Sequence, residues 1–214
     1  MMKNYGIPVA SEGWPFIIPL AIVTALLFAF GWKNTAYVSL ALTVFVLFFF
    51  RDPERLLPKG ADLVVSPADG RVIVIKDVYE PDYLKQDVKQ VSIFLSVFNV
   101  HVNRAPVGGT VERVKYNPGK FHVASVDKAS LDNEQTSMVI VNGKRKILVK
   151  QIAGLIARRI VCYAKPGDVL TPGERYGLIR FGSRVDLFLP KDTELKVKVG
   201  DRIKGVRDII GVLK

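Results

Sequence analysis

The chain of 214 residues has a single cysteine, Cys162, and only two histidines, His101 and His122. One cysteine forbids an intramolecular disulfide and excludes a thiolate metal cluster, so no metal site is expected. With two histidines, few groups can move a proton near neutral pH. Acidic residues are also scarce: 20 Asp and Glu face 31 Lys and Arg, a net charge of +11 at pH 7. Motifs that read DNA or RNA are missing, so nucleic acid is not the expected partner of this charge; an anionic membrane surface is.

Apolar residues are in excess, at 49% of the chain, and the excess is local. Residues 13–30 and 35–50 carry no charge, and the polar turn 31–34 separates them. As helices they would reach about 27 Å and about 24 Å against a hydrocarbon core of about 30 Å, with Trp14, Trp32 and Tyr37 placed to anchor the ends. Neither run shows the polar face of a surface helix, and a second apolar run directly after the first argues against a cleaved signal. A helical membrane hairpin over 1–50 is expected, followed by a second domain over 51–214. Lys33 is the only cation in the turn, whereas Lys3 precedes the hairpin and Arg51, Arg55 and Lys59 follow it. The positive-inside bias therefore puts the globular part on the cytoplasmic side of the cell membrane. Lys3, Lys33 and Glu12 are the only charges in 1–50, so +10 of the +11 falls on 51–214.

Short apolar alternations bounded by turn residues predict strands at 71–78, 90–97, 110–114, 137–141, 146–152, 159–163, 184–189 and 195–199, a mainly β domain. Asn142-Gly143 between two of them predicts a type I′ hairpin. Lys165-Pro166-Gly167-Asp168 with Gly173 is echoed by Lys198-Val199-Gly200-Asp201 with Gly205, which suggests a pseudo-repeated sandwich or barrel resembling the lipoyl and biotinyl hammerhead. No Met-Lys pair sits at a hairpin tip, so a lipoyl or biotin carrier is not expected. The polar stretch 117–134 reads as a long loop or short helix near the site.

Asp69, His101 and Ser183 have the residue types of an activated-serine triad, although Asp69-Gly70 alone is an ordinary turn pair and His101 alone an ordinary buried histidine. They do not stand alone. The run Phe49-Phe50-Arg51-Asp52-Pro53-Glu54-Arg55, then Ser66-Pro67-Ala68-Asp69-Gly70, Phe98-Asn99-Val100-His101-Val102-Asn103-Arg104-Ala105-Pro106, Asn133-Glu134 and Gly182-Ser183 occur in that order. Together they resemble the phosphatidylserine decarboxylases over nearly the whole chain. The likeness is to the shorter branch: many longer members have two histidines three residues apart and Leu-Gly-Ser-Thr, where this chain has His101-Val102-Asn103-Arg104 and Phe181-Gly182-Ser183-Arg184.

The resemblance implies a proenzyme. Ser183 would attack the Gly182 carbonyl and the chain would split between Gly182 and Ser183. The fragment 183–214 would remain as a partner of 1–182 and begin with a covalent pyruvoyl group derived from Ser183. That pyruvate cofactor would replace pyridoxal phosphate, its ketone taking the substrate amine as a Schiff base. Phosphatidylserine would be the substrate, with phosphatidylethanolamine and CO2 the products. His101 would donate the proton that completes the reaction, Asp69 would assist self-cleavage, and Arg104, always protonated and so no base, would bind the substrate carboxylate or phosphate. The division of roles among Asp69, His101 and Arg104 stays open, as does homo-oligomer assembly. Two rival readings are a membrane-anchored Ser-Lys protease of signal-peptidase type and a non-enzymatic lipoyl-like membrane adaptor.

Overall fold

The two uncharged runs fold as two helices, α1 (Trp14–Ala29) and α2 (Lys33–Phe49), in a computed structural model that describes residues 8–119, 133–154, 159–180 and 182–214. A proline sits in the first turn of α1, where a missing N–H breaks no helical bond. Gly31 turns the chain at φ +78°, and the Trp32 N–H closes on Leu27 O at 2.9 Å. Between the helices the Thr24 hydroxyl meets those of Ser39 (2.7 Å) and Thr43 (3.3 Å), so the polar groups of the seam satisfy one another. Outward, both helices present apolar side chains such as Phe16, Ile22, Leu26, Val38, Leu42 and Val44. With the 3-10 turn before it, Ser11–Ala29 is long and apolar enough to cross a membrane, and α2 is shorter. Residues 2–54 form one compact unit and residues 55–214 another.

The second unit is mainly β. Its described strands are β1 (Leu63–Val65), β2 (Gly70–Glu80), β3 (Gln86–Leu95), β4 (Val102–Arg104), β5 (Gly109–Asn117), β6 (Gln135–Asn142), β7 (Arg145–Ala153), β8 (Ile160–Cys162), β9 (Val169–Leu170), β10 (Arg175–Ile179), β11 (Ser183–Pro190), β12 (Glu194–Leu195), β13 (Arg202–Ile203) and β14 (Ile209–Val212). Eight make one antiparallel sheet, in the order β13-β2-β3-β11-β7-β6-β5-β9, which curls into a half-barrel; β4-β10-β8 and β1-β14-β12 are small sheets of three. Strand alternation sends Val91, Ile93, Leu95, Val185, Leu187, Ile147 and Val149 to the main core. On the other face Val88, Val139, Leu148 and Phe188 cluster under Tyr83 and Leu84.

The echoed segments are one structure built twice. In each, an aspartate carboxylate accepts the backbone N–H of the lysine three residues before it: Lys165 to Asp168 at 2.8 Å, Lys198 to Asp201 at 2.9 Å. Gly167 and Gly200 donate to Val111 and Val72, and these valines donate back to Asp168 and Asp201. Both valines sit at bulges, in β5 and β2. Just before them Gly109 pairs with Leu170, and Gly70 with Ile203. A methyl on either glycine would lie 2.2 Å from a carbonyl oxygen of the neighbouring strand, Val141 or Phe94, so both positions require glycine. Upstream, Ala105 exchanges backbone bonds with Gly173 and Glu174 as Ser66 does with Val206 and Asp208. The sequence Ser66-Pro67-Ala68-Asp69-Gly70 thus corresponds to Ala105-Pro106-Val107-Gly108-Gly109.

Two expectations need correction. The β6–β7 hairpin forms, but Asn142 is its last paired residue, opposite Arg145, and its amide donates to Gly108 O at 2.8 Å. The tip is Gly143-Lys144, and only Gly143 has positive φ (+60°), the pattern of a type II′ rather than a type I′ turn. The strand expected at 195–199 stops at Leu195, because Lys198–Asp201 are needed for the repeated turn. Of the stretch 117–134, residues 120–132, His122 among them, lie outside the described residues.

Candidate active site

Strand β11 runs through the middle of the large sheet, and its first residue, Ser183, stands opposite Leu95 of β3 and Ala153 of β7. Alternation turns the Ser183 side chain inward with Val185 and Leu187. It is wholly buried, and its Oγ has no hydrogen-bond partner among the described residues. Leaving a buried hydroxyl unpaired costs about 1–3 kcal/mol, which marks it as a group held for something other than packing. Gly182 enters the strand at φ +59°, a left-handed conformation that favours glycine. Phe181 lies outside the described residues.

His101 is tied to both sides of this serine. Strand β3 ends at Leu95, opposite Ser183, and the chain turns through Ser96, whose N–H and hydroxyl both donate to Asn99 Oδ1 at 2.9 and 2.8 Å. His101 follows, 2% exposed, with Nδ1 2.9 Å from the Asn99 carbonyl. A carbonyl only accepts, so Nδ1 carries the proton and Nε2 is the basic nitrogen of the neutral ring. The His101 carbonyl in turn accepts the Ile179 N–H at 3.3 Å, four residues before Ser183.

The turn that carries Asp69 docks on the strand after His101, the Arg104 N–H donating to Pro67 O at 2.9 Å. The Asp69 carboxylate, however, is directed elsewhere. Arg55 Nη2 donates to Oδ2 at 2.9 Å, Arg55 Nη1 donates to Oδ1, and the Gly205 N–H reaches Oδ1 at 2.8 Å. The structure therefore brings the Asp69 turn and the His101 strand together, but gives the His101 Nδ1 proton to Asn99 and the Asp69 carboxylate to Arg55. The Arg104 guanidinium is buried and donates to Gly173 O at 3.4 Å.

Further polar groups lie on and beside the strands that flank Ser183. Asn133 donates to Ala153 O at 2.7 Å while the Ala153 N–H donates to Glu134 O at 2.9 Å, which clamps the residue opposite Ser183. Gln151, on the same inner face of β7, donates to Asn103 Oδ1 at 2.8 Å. Behind Ser183, on the outer face, Arg184 donates to Asp186 at 2.5 Å and to Ser92 at 2.8 Å, all three side chains being buried. Arg55, Gln151 and the Arg184–Asp186 pair were not among the site residues expected from the sequence. For Arg55 a signal existed, the charged run that it closes.

The phosphatidylserine decarboxylase family model matches residues 42–211, which include every described residue of this site. Phosphatidylserine decarboxylase proenzymes of Geotalea uraniireducens and Ralstonia pickettii are each 47% identical to the chain, the alignments covering 99% and 100% of it and 100% of both relatives. The chain belongs to the phosphatidylserine decarboxylase family. A third relative, the proenzyme of Desulfotalea psychrophila, is 47% identical over 96% of each chain. The family match begins within α2 and runs to β14, so the described groups around Ser183 and the Asp69 turn are held in one matched segment.

Proposed function

We propose that the chain is a self-processing, pyruvoyl-dependent decarboxylase that converts phosphatidylserine to phosphatidylethanolamine and CO2 at the cytoplasmic face of the cell membrane. One observation carries this proposal: the Ser183 hydroxyl, fully buried and without a hydrogen-bond partner among the described residues, follows a glycine at φ +59°. A hydroxyl sealed from solvent is badly placed to attack a protein substrate in trans, as a Ser-Lys protease would. The carbonyl of its own preceding peptide is tethered beside it by the chain.

In this scheme Ser183 Oγ attacks the Gly182 carbonyl carbon and gives its proton to His101 Nε2. The C–N bond breaks, the amine of residue 183 takes up the proton, and Gly182 is left esterified to Oγ. His101 Nε2, neutral again, takes the Cα proton of residue 183, which expels Gly182 as a free carboxylate and leaves a dehydroalanine at 183. Water hydrolyses its imine tautomer, releasing ammonia and leaving a pyruvoyl group. The donor set fits this product: residue 183 heads a strand held on both sides, paired over Ser183–Pro190 with β3 and over Ser183–Phe188 with β7, so the 183–214 fragment stays in the sheet after scission. The pyruvoyl group supplies an electron sink for the negative charge left when a carboxylate departs. His101, as its conjugate acid, holds the proton that the product carbon needs. Arg104, a permanent cation on the strand after His101, is assigned to the anionic headgroup. The helical hairpin keeps the domain at the bilayer, where the substrate resides.

Intact-mass analysis tests the central step. Purified active protein should comprise residues 1–182 and a second chain, 183–214, that has lost its free amine. Ser183→Ala should remain one chain without activity, and an active preparation holding an intact Ser183 would end the proposal. His101→Ala, scored separately for scission and for product, should lose at least one of the two.

A further inference from the structure

A second polar site lies on the other face of the large sheet, away from Ser183. Lys150 is three residues before Ala153 in β7 and so points outward where Ala153 points inward. In the same cross-strand row Lys115 is opposite Ser137, and Ser137 is opposite Lys150. The next positions along β5 place Arg113 and Asn117 on the same outward face as Lys115. Arg113, Lys115, Asn117 and Lys150, together with Tyr83, Asp82 and Gln135, line a pocket of about 440 Å³.

The charges of this pocket are not balanced. Lys150 has the buried Glu80 at 3.6 Å, and Glu80 is fixed by the Tyr83 and Leu84 N–H groups, each at 2.8 Å. Arg113 and Lys115 have no ion pair among the described residues, and Asp82 is the one acid among the lining residues. Between the two lysines sits Ser137, 1% exposed, whose Oγ has no hydrogen-bond partner among the described residues. Ser137 thus sets no counter-charge between them. The wall is braced as well, Asn117 donating to the Tyr83 hydroxyl at 3.3 Å.

We propose that this pocket is an anion site for a phosphate group, gripped by Arg113, Lys115 and Lys150, and separate from the decarboxylation centre. Planar Arg113 suits two phosphate oxygens and Lys115 a third. Two sources share this chemistry, the headgroup of an anionic phospholipid and free inorganic phosphate. The headgroup source rests on the membrane location proposed above; the site itself does not.

Calorimetric titration of the full chain in neutral detergent tests it, since binding is read without turnover and a chain that fails to decarboxylate can still bind. The probes are inorganic phosphate, dihexanoyl phosphatidate and dihexanoyl phosphatidylcholine. Saturable binding of phosphate or phosphatidate is expected, weakened about tenfold or more in Arg113→Ala/Lys115→Ala, as loss of charge-assisted bonds requires. The double variant Lys144→Ala/Lys165→Ala removes the same charge elsewhere and should change affinity less than about twofold if binding is local rather than a general field. Phosphatidate binding tighter than phosphate assigns the site to a lipid headgroup, and equal binding assigns it to phosphate itself. Equal weakening in the two double variants, binding of phosphatidylcholine as tight as that of phosphatidate, or no saturable binding overturns the proposal.

Discussion

The half of the β domain that contains Asp69 and the half that contains Gly108 share a backbone plan and differ in what they hold. In the first, the turn before the bulged strand carries a buried carboxylate gripped by Arg55 and by the Gly205 N–H. In the second, the same place is Gly108, and its neighbour is Pro172, which has no N–H to offer. The halves also meet. A methyl on Gly173 would lie 3.1 Å from Val206, which is its counterpart by backbone pairing, so these two positions face each other and only one can bear a side chain. Val206 takes that space at φ +66°, a costly conformation for a β-branched residue, while Gly173 adopts φ +78° freely. The repeat thus supplies a scaffold in duplicate, whereas among the described residues the polar grip on a turn carboxylate and the strained valine belong to the half with Asp69.

The largest expected effect breaks the grip. Asp69→Ala would leave the Arg55 guanidinium buried without its carboxylate, at a cost of about 3–5 kcal/mol, read as a lower urea midpoint for the full chain in detergent. Arg55→Ala should cost a similar amount, and the double variant less than the sum, since the two groups are one interaction. Because the carboxylate faces Arg55 and not His101, Asp69→Asn should slow scission mainly through loss of this clamp. If Asp69→Asn with intact stability abolished scission, Asp69 would act on the reacting atoms directly.

Next come the paired glycines. Gly70→Ala and Gly109→Ala meet a carbonyl oxygen at the same 2.2 Å, so each should destabilise by about 1–3 kcal/mol, and by nearly equal amounts. A large inequality would show that the two bulges are not equivalent. Smaller still, Asp168→Ala and Asp201→Ala each remove one carboxylate bond to a lysine N–H in an exposed turn, about 1 kcal/mol apiece and close to additive.

The long strands were legible because alternation over seven or more residues leaves little choice, as in β7 and β11. The two-residue strands β9 and β13 were not, since pairs such as Val169-Leu170 and Arg202-Ile203 have no period; only the surrounding Lys-x-Gly-Asp echo announced them. Ser183 and His101 were named from the sequence through the family resemblance; the fold puts Ser183 at the head of β11 and ties the His101 carbonyl to Ile179, four residues before it. Arg55 went unassigned because its partner is 14 residues away across a bend, and no local rule couples them. The Asn99 carbonyl that fixes the His101 tautomer is backbone, which side-chain motifs cannot reveal.

The smallest effect concerns Cys162, whose counterpart in the other half is Leu195: the two pair with Gly177 and Gly211, respectively. A leucine there is indifferent to pH and the thiol is not. Burial, with Asp168 adding to it, pushes the Cys162 thiol from 9.0 up to about 11. The thiolate is the reactive form, so alkylation by iodoacetamide should keep rising about tenfold per pH unit beyond pH 9, where an exposed thiol levels off. Its sign for stability follows, because the unfolded thiol ionises first. The contribution of the buried neutral thiol is whole below pH 9 and is lost between 9 and about 11. Cys162→Leu, which copies the other half, should remove that part of the alkaline decline while leaving the midpoint at pH 7 within about 1.5 kcal/mol of the parent. Alkylation that levels off near pH 9 would place the thiol in solvent and break the correspondence with Leu195.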